Sequence, residues 1–167
     1  QQRAILRAQG MTEEMIQFST NANAQLFDIV EASKDRAEAD SLMRQLVKGW
    51  GYNEELTEQT VGQLTSAWMY YFLKYDPAEA IVKTKCPALL LNGSKDVQVI
   101  ASQNLPAYQK LIDENGKTNL TLQEFPGLNH LFQHCETGAP AEYATIDETI
   151  SEEVLERIAE FVKGIEK

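Results

Sequence analysis

Apolar residues recur every three to four positions through the first part of the chain, then give way to short continuous runs. Over MTEEMIQFSTNANAQLFDIVEAS, Met15, Ile16, the Phe18/Ala22 pair, Leu26, Ile29 and Val30 follow helical spacing. Thr12 stands where an N-cap is wanted, and Glu13 and Glu14 suit the positive end of a helix. A second helix is predicted over DRAEADSLMRQLVKGWG, with Leu42, Leu46 and Val47 as its apolar stripe and Gly49 or Gly51 as its stop. A third runs through TEQTVGQLTSAWMYYFLKYD and ends in Trp68, Tyr70, Tyr71, Phe72 and Tyr75. No Pro- or Gly-rich linker separates the three.

The pattern changes at Asp76-Pro77, which reads as an N-cap followed by Pro at the first helical position, with Glu79 completing a box-like start. A short helix, PAEAIVKT, leads into CPALLLNGSKD, where residues 88–91 are continuously apolar, as in a strand covered on both faces. An amphipathic helix follows over about residues 102–115, with Leu105, Tyr108, Leu111 and Ile112 on one side and Gly116 as its stop. TNLTLQEF then alternates Leu120 and Leu122 against Thr121 and Gln123, the pattern of a half-exposed, edge-like strand. Thr145 with Glu148 resembles a capping box, and a last helix begins near Ser151 with Val154, Leu155, Ile158, Phe161, Val162 and Ile165 on one broad face.

Strand, helix, strand, helix is one right-handed βαβ unit with a closing helix. Two parallel strands do not make an independent sheet, and a run as apolar as residues 88–91 wants a neighbour on each side. The chain is therefore expected to be the C-terminal part of a larger α/β fold, unless another copy supplies the missing surface. Its start at Gln1 rather than Met fits a processed or truncated product, so that any targeting signal would lie upstream and localisation stays open between cytoplasmic and exported.

Length and composition narrow the function classes. A chain of 167 residues is one domain by length, with apolar content enough for a core. A net charge of -10 with scattered basic residues argues against a nucleic-acid partner and reads as solubility. The longest apolar runs are a few residues, so no membrane partner is expected. Cys86 and Cys135 lack C-x-x-C spacing, which makes a structural zinc improbable and leaves the redox compartment undefined. His130, His134 and Cys135 in HLFQHC lack a further ligand at suitable spacing, and neither a metal nor a cofactor is expected.

In an open parallel sheet, reactive groups sit beyond the carboxyl ends of the strands. Asp96 follows LLLNGSK and His130 follows LTLQEFPGLN, so adjacent strands would deliver both to one edge. The carboxylate could then orient the imidazole while its other nitrogen works as a base. Taken singly, Asp96 reads as a turn or cap residue and His130 as an inert loop side chain. Ser94 reads as a turn hydroxyl and Ser66 lies in a helical stretch. The aromatic residues from Trp68 to Phe72 fit core packing of a helix, with lining of a substrate pocket as the other reading.

CPALLLNGSKDVQV followed by LQEFPGLNHLFQ resembles the last two core strands of an α/β-hydrolase. The likeness extends to YDPAEAIVKTK before them and to ETGAPAEYATIDETISEEVLERIAEFV after them, covering roughly residues 68–167. It is most similar to a bacterial branch of serine esterases and related acyl hydrolases. The resemblance implies a partial α/β-hydrolase fold, with residues 1–75 as a helical cap or lid and residues 76–167 as a βαβα portion carrying the last two parallel strands. It implies Asp96 as triad acid and His130 as base. Ile100 departs from the proline expected soon after the acid loop, and no G-x-S-x-G occurs in the sequence. The implied function is a fragment of a serine hydrolase acting on ester or related acyl bonds, inactive alone, with a small-molecule ester or acyl substrate in the intact enzyme. The alternative is a non-catalytic α/β domain that associates with itself or a partner through an exposed strand edge.

Overall fold

Side-chain caps set most of the helix boundaries in the first part of the chain. In the computed structural model, which describes residues 1–165, α1 spans Gln2–Ala8 and α2 Glu13–Ala32, with Thr12 Oγ1 accepting weakly from Met15 N at 3.4 Å. Residues 166 and 167, the end of the expected 76–167 portion, lie outside the described residues. The spacing predicts nothing before residue 11, where α1 forms. Helix α3 (Arg36–Gly49) opens with a reciprocal box: Asp35 accepts from Glu38 N at 2.9 Å, and the Glu38 carboxylate accepts from Lys34 N at 2.8 Å. Asn53 caps α4 (Glu54–Leu64) and Ser66 caps α5 (Ala67–Lys74). The single third helix expected over residues 57–76 is therefore two helices. The Ser66 hydroxyl takes Met69 N and starts a new helix there.

The chain divides into two units, Gln17–Pro77 and Gln1–Ile16 with Ala78–Lys167. The first is all helical. Its core is Leu26, Val30, Met43, Val47 and Val61, against which Ile29, Leu46, Leu64, Tyr70 and Leu73 pack. Helix α3 turns Ala39, Met43 and Val47 inward, one helical turn apart; of the stripe read from the sequence, Leu46 and Val47 face the core and Leu42 is exposed. Met15 and Phe18 are likewise exposed. Core packing is also wrong for most of the aromatic cluster. Tyr70 packs inward, whereas Trp68, Tyr71, Phe72 and Tyr75 are exposed, Trp68 stacking on Phe72 with centroids 5.1 Å apart.

In the second unit, α6 (Ala78–Lys83) precedes β1 (Ala88–Gly93), α7 (Ala101–Asn115), β2 (Leu120–Phe125), a 3-10 helix over Pro140–Thr145, and α8 (Glu152–Gly164). Gly116 ends α7 in the left-handed region, at φ +57°. The strands pair in parallel, in register from Ala88 opposite Leu120 to Gly93 opposite Phe125. Phe125, Leu128 and Val154 form the buried centre, with Leu91, Phe132 and Ile150 against it. Residues 88–91 are half-buried, because among the described residues β1 has a strand on one side only. On α8, Val154 is buried while Leu155, Ile158 and Val162 are exposed, as is Ile165 just after the helix. The capping box expected from Thr145 and Glu148 does not form. Thr145 Oγ1 donates to Glu142 O at 2.8 Å, and the Glu148 carboxylate is taken by His134. Among the described residues, no helix is long and apolar enough to cross a membrane.

Candidate active site

Because β1 and β2 run parallel and in register, both release their C-terminal loops at one edge of the sheet. The loop after β1 carries Asp96, and the loop after β2 carries His130. Backbone bonds stitch the two together. Ser94 N donates to Phe125 O and Lys95 N to Leu128 O, each at 2.9 Å, and Gly127 N donates to Ser94 Oγ at 2.8 Å. The approach is so close that a Cβ on Gly93 would lie 2.2 Å from Leu128 O, and one on Gly138 would lie 1.9 Å from Lys95 O. Glycine at those two positions lets the loops touch. Lys95 adds a side-chain tie, its Nζ donating to Cys135 O and Glu136 O at 2.8 and 2.9 Å.

The result is a hydrogen bond between the two predicted residues: Asp96 Oδ2 lies 2.9 Å from His130 Nδ1. Their environments differ sharply. The Asp96 side chain is 5% exposed and that of His130 is 38% exposed. Asp96 Oδ1 accepts from Gln98 N and Val99 N, both at 2.8 Å, and Oδ2 also faces Asn92 Nδ2 at 3.4 Å. A buried carboxylate with both oxygens hydrogen-bonded is fixed in place. An imidazole that donates from Nδ1 to such a carboxylate carries its lone pair on Nε2. The His130 Nε2 atom has no hydrogen-bond partner among the described residues, so it is available to a reacting group.

The other candidates fall away from this chemistry. Ser94 Oγ is a hydrogen-bond acceptor in the turn, and Ser66 is a helix cap. Burial pushes the Cys135 thiol up, with Glu142 adding to the effect, so it holds little thiolate at neutral pH. His134 pairs with Glu148 through Nδ1 at 3.0 Å. Among the described residues, no group of three His, Cys, Asp or Glu side chains is arranged to hold a metal.

Residues 15–154 match the family model described as the prolyl oligopeptidase family. The chain belongs to the prolyl oligopeptidase family. This is a family of α/β-hydrolase serine peptidases, so the helices and two parallel strands are part of an α/β-hydrolase fold, as the resemblance implied. The esterase branch is narrower than what the family match carries. No curated protein and no solved structure matches the chain.

Sequence reasoning missed the buried amides around the pair. Asn92 is 5% exposed and bonds Val99 O at 2.8 Å; its signal was a polar residue at the end of an apolar strand. Asn129 and Gln133 are buried beside His130. In the sequence they read as ordinary loop amides and carry no comparable signal.

Proposed function

We propose that Asp96 and His130 are the acid and base of a serine hydrolase that cleaves acyl bonds, with the nucleophile supplied by polypeptide outside these 167 residues. The observation that carries the reading is the 2.9 Å pairing of a buried, doubly anchored carboxylate with a half-exposed imidazole, in a chain of a serine peptidase family. A serine hydroxyl would give its proton to His130 Nε2 as it attacks the carbonyl carbon. Asp96 would hold the tautomer and stabilise the imidazolium, which then protonates the leaving group. The substrate is a small ester or related acyl compound; the family name adds peptide bonds to the same class of acyl transfer. Membership of the bacterial esterase branch belongs to this proposal and rests on the NGSKD and PGLNHLFQ segments. So does the role of residues 1–75 as a cap.

The purified 167-residue chain should neither hydrolyse p-nitrophenyl acetate or a peptide p-nitroanilide nor take up a fluorophosphonate label, since no G-x-S-x-G lies within it. Hydrolysis by this chain that disappears in His130→Ala would overturn the assignment of the nucleophile. A second reading, a non-catalytic domain that pairs with a copy of itself, is favoured by one observation. Among the described residues each strand is paired on one side only, and Leu155 and Val162 on α8 are exposed. Sedimentation of the same sample decides it: a well-folded monomer removes this reading.

A further inference from the structure

His130 stands on a five-residue loop, 129–133, flanked by the antiparallel bridge of Leu128 with His134. The residue before it, Asn129, is fully buried. Its side chain is almost completely engaged. Oδ1 accepts from Leu131 N at 2.8 Å and Gln133 N at 3.0 Å, while Nδ2 donates to Gln133 Oε1 at 3.0 Å. Its backbone is committed too, with N donating to Gln133 O and O accepting from Phe132 N. Gln133, also buried, passes the connection on through Nε2 to Glu148 O at 2.7 Å. Phe132 sits at φ +57°, accepts from Ser151 N at 2.8 Å, and meets the Phe125 ring edge-on at 6.2 Å. The backbone on either side of His130 is thus tied down, whereas its own ring has one hydrogen bond, to Asp96, and is more than one-third exposed.

The chemistry of this position is specific to Asn. Its oxygen satisfies two buried backbone N–H groups while its nitrogen supplies a donor for Gln133. Asp would meet the first demand and fail the second. Ser would satisfy at most part of the first. Leaving such buried groups unpaired is unfavourable, so loss of the amide would open the loop rather than leave it in place with holes.

We propose that Asn129 and Gln133 form a buried amide latch that holds the His130 loop so that Nδ1 stays on Asp96, making Asn129 a positioning residue for the acid–base pair. The inference rests on the reading of Asp96 and His130 given above. Its test uses NMR of the 15N-labelled 167-residue chain, following exchange of the His130 Nδ1 proton with water. In the parent chain this proton should be visible and slow to exchange. Asn129→Ser and Gln133→Glu should each speed its exchange by about tenfold or more, because the hydrogen bond to Asp96 opens more often. Val154→Ala loosens the core against which the loop packs while leaving every hydrogen bond of Asn129 and Gln133 in place, and should leave the rate close to that of the parent. Where Asn129→Ser does not fold, as judged by near-ultraviolet circular dichroism, Gln133→Glu decides. Rates within about twofold of the parent in both latch variants would overturn the proposal. So would an equal acceleration in Val154→Ala, which would reduce the latch to general stability. Asp96→Ala separates the underlying reading. If the Nδ1 proton persists unchanged without its acceptor, the Asp96–His130 pair itself is wrong, and the latch has no pair to position.

Discussion

At Asp96 the two carboxylate oxygens are divided: Oδ1 takes the backbone amides of Gln98 and Val99, and Oδ2 faces His130. Two glutamates do similar anchoring work further along the same loop region. The amides of Thr137 and Gly138 donate to Glu142, and these bonds, that of Thr137 first, hold its carboxyl below the usual carboxylate value. The amide of His134, followed by its ring, does the same for Glu148. A carboxyl whose folded pKa is depressed stabilises the fold above its unfolded pKa, about 4.3 for Glu, and loses that contribution as pH falls through the folded value. Amide hydrogen exchange at His134, Thr137 and Gly138, corrected for intrinsic rate, should therefore show protection that is complete near neutrality and falls away below about pH 4. Protection that is flat across this range would contradict the anchoring. At this scale the sequence was legible where a residue type is rare in its context. A His and an Asp after two strands stand out, and their type limits what they can do. Asn129 and Gln133 were not legible, because amides are common in loops and only burial shows that these two are structural.

The helices were read well where one face repeats and poorly where a cap interrupts. Helix α7 and its stop at Gly116 follow from spacing and from the left-handed φ of that glycine. The division of α4 from α5 was hidden, since Ser66 mid-pattern looks like any polar helical residue until its hydroxyl is seen to accept from Met69 N. On α3, Leu46 and Val47 face inward as the spacing predicts, whereas Leu42 does not, because packing turns Ala39 and Met43 inward in its place. Helix α4 carries a testable flaw. Thr57 is fully buried, and its Oγ1 has no hydrogen-bond partner among the described residues. Replacing that hydroxyl by a methyl group of similar size removes an unsatisfied buried group. Thr57→Val should raise stability to urea by about 1 kcal/mol with an unchanged m-value. A destabilised variant would show that the hydroxyl has a partner, such as a buried water, that the fold needs.

Across the whole molecule, the α/β class was legible because continuous apolar strands and amphipathic helices differ in period, and because the two strands are close in sequence. The prolyl oligopeptidase family was not read from the residues, since the serine motif that marks such enzymes most plainly does not occur in these 167 positions. What the chain contributes to the proposed reaction is one rigid corner of an active site. Two strand ends bring Asp96 to His130, glycines let their loops touch, and a buried pair of amides closes the turn. The most direct test is a double-mutant cycle in a polypeptide that carries these residues together with the serine motif. His130→Ala and Asp96→Asn should each lower kcat/KM for an activated ester by about a thousandfold or more, and the double variant should be no worse than His130→Ala alone, as for residues that act as one unit. Losses within about tenfold for the single variants, or losses that multiply in the double, would contradict the assignment of Asp96 and His130 as a coupled acid and base.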